Sequence, residues 1–137
     1  MPLVLLHAMI LTISKEYTYA LIGASDNPEK YGNIILRDFM DNGYHIIPIN
    51  PNDNNGIIEG LQTYKNLGEL SEHVDIVIFA VPPQVVVSIL PDVVKKGIKK
   101  IWMQPGSESK EAVQFCKEHE IEYSTIDCIM VERKKIV

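Results

Sequence analysis

With 137 residues, 46% of them hydrophobic and 23% charged, the chain has room for one domain with a real core and too little for two. Its formal net charge of −5 is spread along the chain without a basic stripe, which argues against nucleic acid as a partner. The two cysteines, Cys116 and Cys128, are too few for a disulfide scaffold and fit a reducing cytoplasm.

Residues 1–16 read as an apolar extension, with Pro2 to Ile13 (PLVLLHAMILTI) broken only by His7 and Thr12. A helix needs about 20 apolar residues to cross a bilayer, so no membrane contact is expected. A secretory leader would carry Lys or Arg before the apolar stretch and small residues at a cleavage site, so none is expected here. The extension is expected to pack on the domain or on a partner subunit, with a misassigned start codon as the alternative.

The domain itself is expected over 17–137. Tyr17 to Leu36 (YTYALIGASDNPEKYGNIIL) reads as a strand, a glycine turn and a helix. Ala20, Leu21 and Ile22 are the apolar run, and Gly23 ends it. Ala24 and Ser25 are small, and Asp26, Asn27 and Pro28 favour a turn. Such a turn aims free backbone N–H groups and the positive end of a helix dipole at one point, where an anion is held. The plainer alternative is an ordinary connection with a well-packed glycine. Gly32 fits either, because a missing side chain permits close packing or close ligand approach. Asp26 would repel an anion if it faced inward, and is expected to cap the turn instead.

Tyr31 to Asn42 carries Ile34, Ile35, Phe39 and Met40 at helical spacing, with Gly43 as the stop. Tyr44 to Ile49 is the second strand, followed by the turn-rich run from Asn50 to Gly56. Ile57 to Lys65 reads as irregular with a short extended piece. Asn66 to Glu72 reads as a short helix capped by Asn66. Val74 to Val81 (VDIVIFAV) is β-branched and apolar on both faces, as in a covered parallel strand, and Pro82 and Pro83 stop it. Gln84 to Lys96 is a helix with Val86, Val87, Ile89, Leu90 and Val93 inward, and Pro91 is expected to kink or break it. Lys100 to Met103 is a strand, Ser109 to Glu118 a helix, and Ile121 to Ile126 the fifth strand. The basic tail from Glu132 to Lys135 is expected to be solvated.

Strands alternating with helices at this spacing give an α/β fold. The expected form is a single Rossmann-like, doubly wound parallel sheet of about five strands with helices on both faces. Ligands of such sheets bind outside the carboxyl ends of the strands, where the strand order reverses. Those ends are Gly23–Asp26, Ile49–Asn52, Val81–Pro83 and Met103–Gly106. An NAD(P) oxidoreductase is the competing reading, but the first turn lacks the second and third glycines of G-x-G-x-x-G. The second strand ends in Asn50-Pro51 with no carboxylate for a ribose. No G-x-x-x-x-G-K-[ST] occurs either.

GAS-x-x-P-x-K-x-G (Gly23 to Gly32), PINPN (Pro48 to Asn52), AVPP (Ala80 to Pro83) and WMQPG (Trp102 to Gly106) follow in order. Together they resemble the CoA-binding domain family, small Rossmann-like proteins similar to that domain of the succinyl-CoA synthetase α subunit. The resemblance runs from Tyr17 to Arg133 and implies coenzyme A, or an acyl-CoA, as the ligand. It implies that Gly23, Ala24, Ser25 and Asp26 take the pyrophosphate, with Lys30 adding a cation. A branched side chain at Gly23 would then fill the space that pyrophosphate needs. Asn50, Pro51 and Asn52 would lie beside the adenosine, Val81 and Pro82 against the adenine, and Gln104, Pro105 and Gly106 near the pantetheine arm. The 3′-phosphate finds no cation in Asn50 to Asn55, so Lys30, Arg37 or Lys65 would have to reach it.

The synthetases resembled here use a phosphorylated histidine in a further domain, and no such domain is expected in this chain. His7, His45, His73 and His119 read as surface or boundary residues, and no metal spacing is present. No catalytic residue is assigned. The protein is read as a non-catalytic binding protein, with a homo-oligomer or a subunit role in an acyl-CoA synthetase-like enzyme left open. Cys116 lies on an apolar helix face and reads as core. Cys128, in TIDCIM after the fifth strand, is either a plain buried thiol or one able to form a mixed disulfide with the CoA thiol.

Overall fold

The structure is a computed structural model that describes residues 11–136, so the first ten residues of the apolar extension lie outside the described part. Seven strands are present among the described residues: β1 (Thr18–Ile22), β2 (His45–Ile49), β3 (Ile57–Ile58), β4 (Leu61–Gln62), β5 (Ile76–Phe79), β6 (Lys100–Met103) and β7 (Glu122–Ser124). The helices are α1 (Tyr31–Asp41), α2 (Pro83–Lys95), α3 (Lys110–Glu118) and α4 (Ile129–Lys134), with a 3-10 turn at Leu67–Glu69.

Five strands form one sheet in the order β2-β1-β5-β6-β7, and every pairing is parallel. Side chains alternate between its faces, as the period of a strand requires. Ala20, Ile22, Val77, Phe79, Ile101 and Met103 meet Val86, Leu90 and Val93 of α2 and Ala112 and Cys116 of α3. On the other face Tyr19, Leu21, Ile76, Ile78 and Trp102 meet Ile35, Leu36 and Phe39 of α1 and Ile129 of α4. Ile13, at the near end of the extension, is buried against this second face. The doubly wound sheet with helices on both faces is therefore the expected one.

Four local expectations change. Ile57 to Lys65 is not irregular: β3 and β4 form an antiparallel hairpin, and Tyr64 bridges to Ile49 at the end of β2. Asn66 does cap, accepting from the Glu69 N–H at 3.2 Å, but the turn it starts is a 3-10 turn that stops at Glu69. Helix α2 runs unbroken through Pro91, which lies on the exposed side, where the carbonyl left without its donor can meet water.

The tail is not simply solvated. It forms α4, and Arg133 grips Asp38 of α1 through two bonds of 2.6 and 2.9 Å. The pair is largely shielded, with the side chains 13% and 16% exposed. The Asp38 hydrogen bond raises the Arg133 pKa further above its usual value. The missed signal was the apolar pair Ile129 and Met130, which pack on the core one turn before the charges.

Candidate functional site

The chain winds one way from β1 to β2 and the other way from β5 to β7, so the order reverses between β1 and β5. Their carboxyl ends meet there without side chains between them. Gly23, at φ 101°, lies so close to β5 that a Cβ on it would sit 2.4 Å from the Ala80 carbonyl oxygen and 2.9 Å from Val81 Cγ1. A Cβ on Gly32 would sit 1.8 Å from the Gly23 carbonyl oxygen. The first turn of α1, the turn after β1 and the turn after β5 are thus stacked backbone on backbone.

The turn after β1 is held by side chains of α1. Asn33, fully buried, donates from Nδ2 to the Ser25 carbonyl at 2.9 Å and to Glu59 Oε2 at 2.9 Å. Its Oδ1 accepts from Arg37 Nε at 2.6 Å, and Arg37 Nη2 donates to the Pro28 carbonyl at 3.1 Å. Ser25 Oγ accepts from Asn27 N–H, and Asn27 Oδ1 from Glu29 N–H. Asp26 does not cap the turn as expected. The N–H it would need, two residues on, belongs to Pro28, which has none, and its carboxylate is exposed without a partner among the described residues. The N–H groups of Ser25, Asp26, Tyr31 and Gly32 have no hydrogen-bond partner among the described residues. Free donors at the start of an 11-residue helix can hydrogen-bond an anion.

Beside the turn lies a cleft of about 470 Å³, lined by Tyr31, Ala80, Val81, Pro82, Pro83, Gln104, Pro105, Gly106, Ser107 and Cys128. Val81, Pro82, Gln104, Pro105 and Gly106 are thereby brought together, and Gly23 abuts Val81 at its edge. Asn50 belongs to the turn instead: its Nδ2 donates to the Ala24 carbonyl at 2.8 Å and its Oδ1 accepts from Asn52 N–H at 2.7 Å. Pro51 and Asn52 are exposed next to it, and Lys30 is exposed at the N-cap of α1 outside the cleft lining. Ala24 is buried in the core, so only its backbone faces the turn.

Several lining groups are already engaged. The Gln104 amide accepts from Ile129 N–H at 2.8 Å and donates to Cys128 Sγ at 3.1 Å, bracing the start of α4. Trp102 Nε1 steadies the same connection through the Asp127 carbonyl at 2.9 Å. The N–H of Gly106 goes to Glu108, and that of Val81 to Ser107 Oγ. The open donors therefore gather at the turn after β1, and the cleft presents mainly apolar surface. Arg37, one of three candidate cations, is committed to Asn33 and Pro28.

Sequence reading missed Tyr31, 68% exposed at the cleft, along with Ser107, Asn33 and Glu59. Tyr31 shares the helical spacing of Ile34 and Ile35, so it carried no signal apart from that apolar face. Asn33 and Glu59, 26 residues apart, offered none.

The described histidines lie elsewhere. His45 pairs with Glu72 and His73 with Asp75 near the amino ends of their strands, and His119 stacks on Phe115. His7 is outside the described residues. Among the described residues no group of three or more His, Cys, Asp or Glu is placed to hold a metal, and no helix is long and apolar enough to cross a membrane. Cys116 is buried, and burial pushes its thiol pKa up to about 12.

The family model described as a CoA binding domain matches residues 17–134. A conserved hypothetical protein from Pyrococcus furiosus has a solved structure 46% identical in sequence, with a TM-score of 0.80, covering 85% of this chain and 98% of that one. The α subunit of an ADP-forming acetate–CoA ligase I from the same organism is 30% identical over 69% of this chain and 23% of its own length. The corresponding ligase of Methanocaldococcus jannaschii is 34% identical over 64% of this chain, but the match spans only 12% of that protein.

Proposed function

The chain belongs to the CoA-binding domain family, and from that premise we propose that it holds coenzyme A, or an acyl-CoA, across the carboxyl edge of its sheet. The observation that carries the reading is the pairing of free backbone donors at Ser25, Asp26, Tyr31 and Gly32 with an adjoining apolar cleft. A pyrophosphate suits the first, and a base with a pantetheine arm suits the second. In this reading Gly23, Ala24, Ser25 and Asp26 offer backbone to the diphosphate, and Asn50, Pro51 and Asn52 border the adenosine. Val81 and Pro82 form the wall for the adenine, while Gln104, Pro105 and Gly106 flank the arm. No catalytic group is assigned, and the reading is of a cytoplasmic binding protein.

Thermal-shift titration with CoA, NADH and ATP tests this directly. CoA is expected to raise the melting temperature with concentration, because a ligand of the native state stabilises it by mass action. A shift with NADH alone would make the protein a nicotinamide binder and end the proposal.

Lys30 supports the anion assignment by its placement. A cation at the N-cap faces the positive end of the α1 dipole, an arrangement that is unfavourable unless an anion sits between them. Lys30→Ala is expected to leave the stability of the ligand-free protein unchanged or slightly raised, and to weaken CoA binding by ~1–2 kcal/mol, read by calorimetric titration. An unchanged affinity would shift the role to Lys65.

Cys128 lines the cleft, which supports the reading that it exchanges with a CoA disulfide. Its thiolate attacks one sulfur, the disulfide breaks, a Cys128–CoA disulfide forms and one CoA thiolate leaves. Mass spectrometry after exposure to CoA disulfide is expected to show one adduct that Cys128→Ala abolishes. Cys116 stays unmodified, because its buried thiol remains protonated at neutral pH.

A second reading rests on the matches to ligase α subunits, in which the chain spans a fraction of the relative's length. It makes the protein a subunit whose chemistry needs a partner chain, and a ligase subunit co-purifying with it would favour this version.

A further inference from the structure

The hairpin of β3 and β4 turns through Glu59 and Gly60, both at positive φ, 51° and 80°. A two-residue turn of this kind takes Asn, Asp or Gly at its first position, where a left-handed backbone is tolerated. Glutamate is a poor choice there, and local turn chemistry does not explain it. Its side chain does. Glu59 Oε2 accepts from Asn33 Nδ2 at 2.9 Å, and the same amide nitrogen holds the Ser25 carbonyl at 2.9 Å. Asn33 is fully buried, and its oxygen is taken by Arg37, which also holds the Pro28 carbonyl. The turn from Ser25 to Pro28 is thus fastened at both ends, and Glu59 fixes the rotation of the amide on which both fastenings depend. A residue in a disfavoured backbone region, kept for a contact made elsewhere, is the signature of a functional constraint.

We propose that Glu59 is a positioning residue for the anion-binding turn, acting through Asn33 to keep the Ser25 carbonyl turned toward α1 and the free N–H groups turned outward. This rests on the reading of the site as a CoA site. It extends that site to the hairpin, which contributes no group to the cleft lining.

The experiment sets stability against affinity in Glu59→Gly, Glu59→Ala and Glu59→Gln. Glycine relieves the turn, so Glu59→Gly is expected to melt at or above the wild-type temperature. Yet it is expected to bind CoA about three- to tenfold more weakly in calorimetric titration, the scale of one lost hydrogen bond. In ligand-free protein, amide hydrogen exchange at residues 24–27 is expected to quicken in the glycine and alanine variants. Glu59→Gln keeps an acceptor oxygen and is expected to restore both affinity and protection. Unchanged exchange and affinity in Glu59→Gly would overturn the proposal. Tighter binding would overturn it too, since Glu59 would then be repelling the anion rather than placing its donors. If the wild-type protein took up no CoA while exchange still responded to Glu59, the fastening would stand and the CoA reading would fall.

Discussion

Gly32→Ala is expected to lower the stability of the protein by about 3 kcal/mol or more, read as a fall in the urea midpoint with the slope unchanged. The added methyl carbon would sit 1.8 Å from the Gly23 carbonyl oxygen, closer than any real contact. No flexible side chain is available to yield. Either α1 must lift from the sheet, exposing Ile35, Leu36 and Phe39, or the turn after β1 must move. In other helices an exchange of Gly for Ala commonly stabilises by ~1 kcal/mol, so the opposite sign is itself diagnostic. A variant as stable as the wild type would show that α1 does not rest on that carbonyl.

Gly23→Val is expected to abolish CoA binding, with no measurable heat on titration, and to destabilise the fold as well. The sequence suggested that a branched side chain would occupy the space of the pyrophosphate. The geometry gives another cause. A Cβ at Gly23 points at the Ala80 carbonyl oxygen, 2.4 Å away, and at Val81 Cγ1, so it wedges the turns after β1 and β5 apart. The φ of 101° adds strain for any residue with a side chain. Val81 lines the cleft, so the wall is displaced along with the turn. Gly23→Ala would carry the same wedge, and wild-type affinity in that variant would detach the turn from the site.

The sheet was legible because β1, β2, β5 and β6 are short apolar runs bounded by glycine, proline or asparagine, and burial on both faces leaves little else for them to do. Their carboxyl-end loops could be named from the same pattern. Chain order alone could not say how those loops divide the work. Val81, Pro82, Gln104, Pro105 and Gly106 share a cleft, while Asn50 is tied to the turn after β1. Nor could it show that Gln104 is spent on α4, that Asp26 faces a proline without an N–H, or that Arg37 is taken by Asn33. These depend on contacts between residues far apart in sequence, which no local periodicity records. Helix α4 escaped notice because six residues span less than two helical turns, too few for the spacing to stand out against a run of charges.

The bracing of Cys128 and Ile129 by Gln104 has a bearing on how the cleft is closed. All five strands of the sheet precede residue 128 in the chain, yet Cys128 of the segment that follows them lines the cleft. The five-stranded scaffold without that segment would therefore carry a groove open on one side. Closing the groove is thus a docking step separate from strand pairing, and a change confined to the Gln104 contacts would loosen that side of it while leaving the scaffold in place.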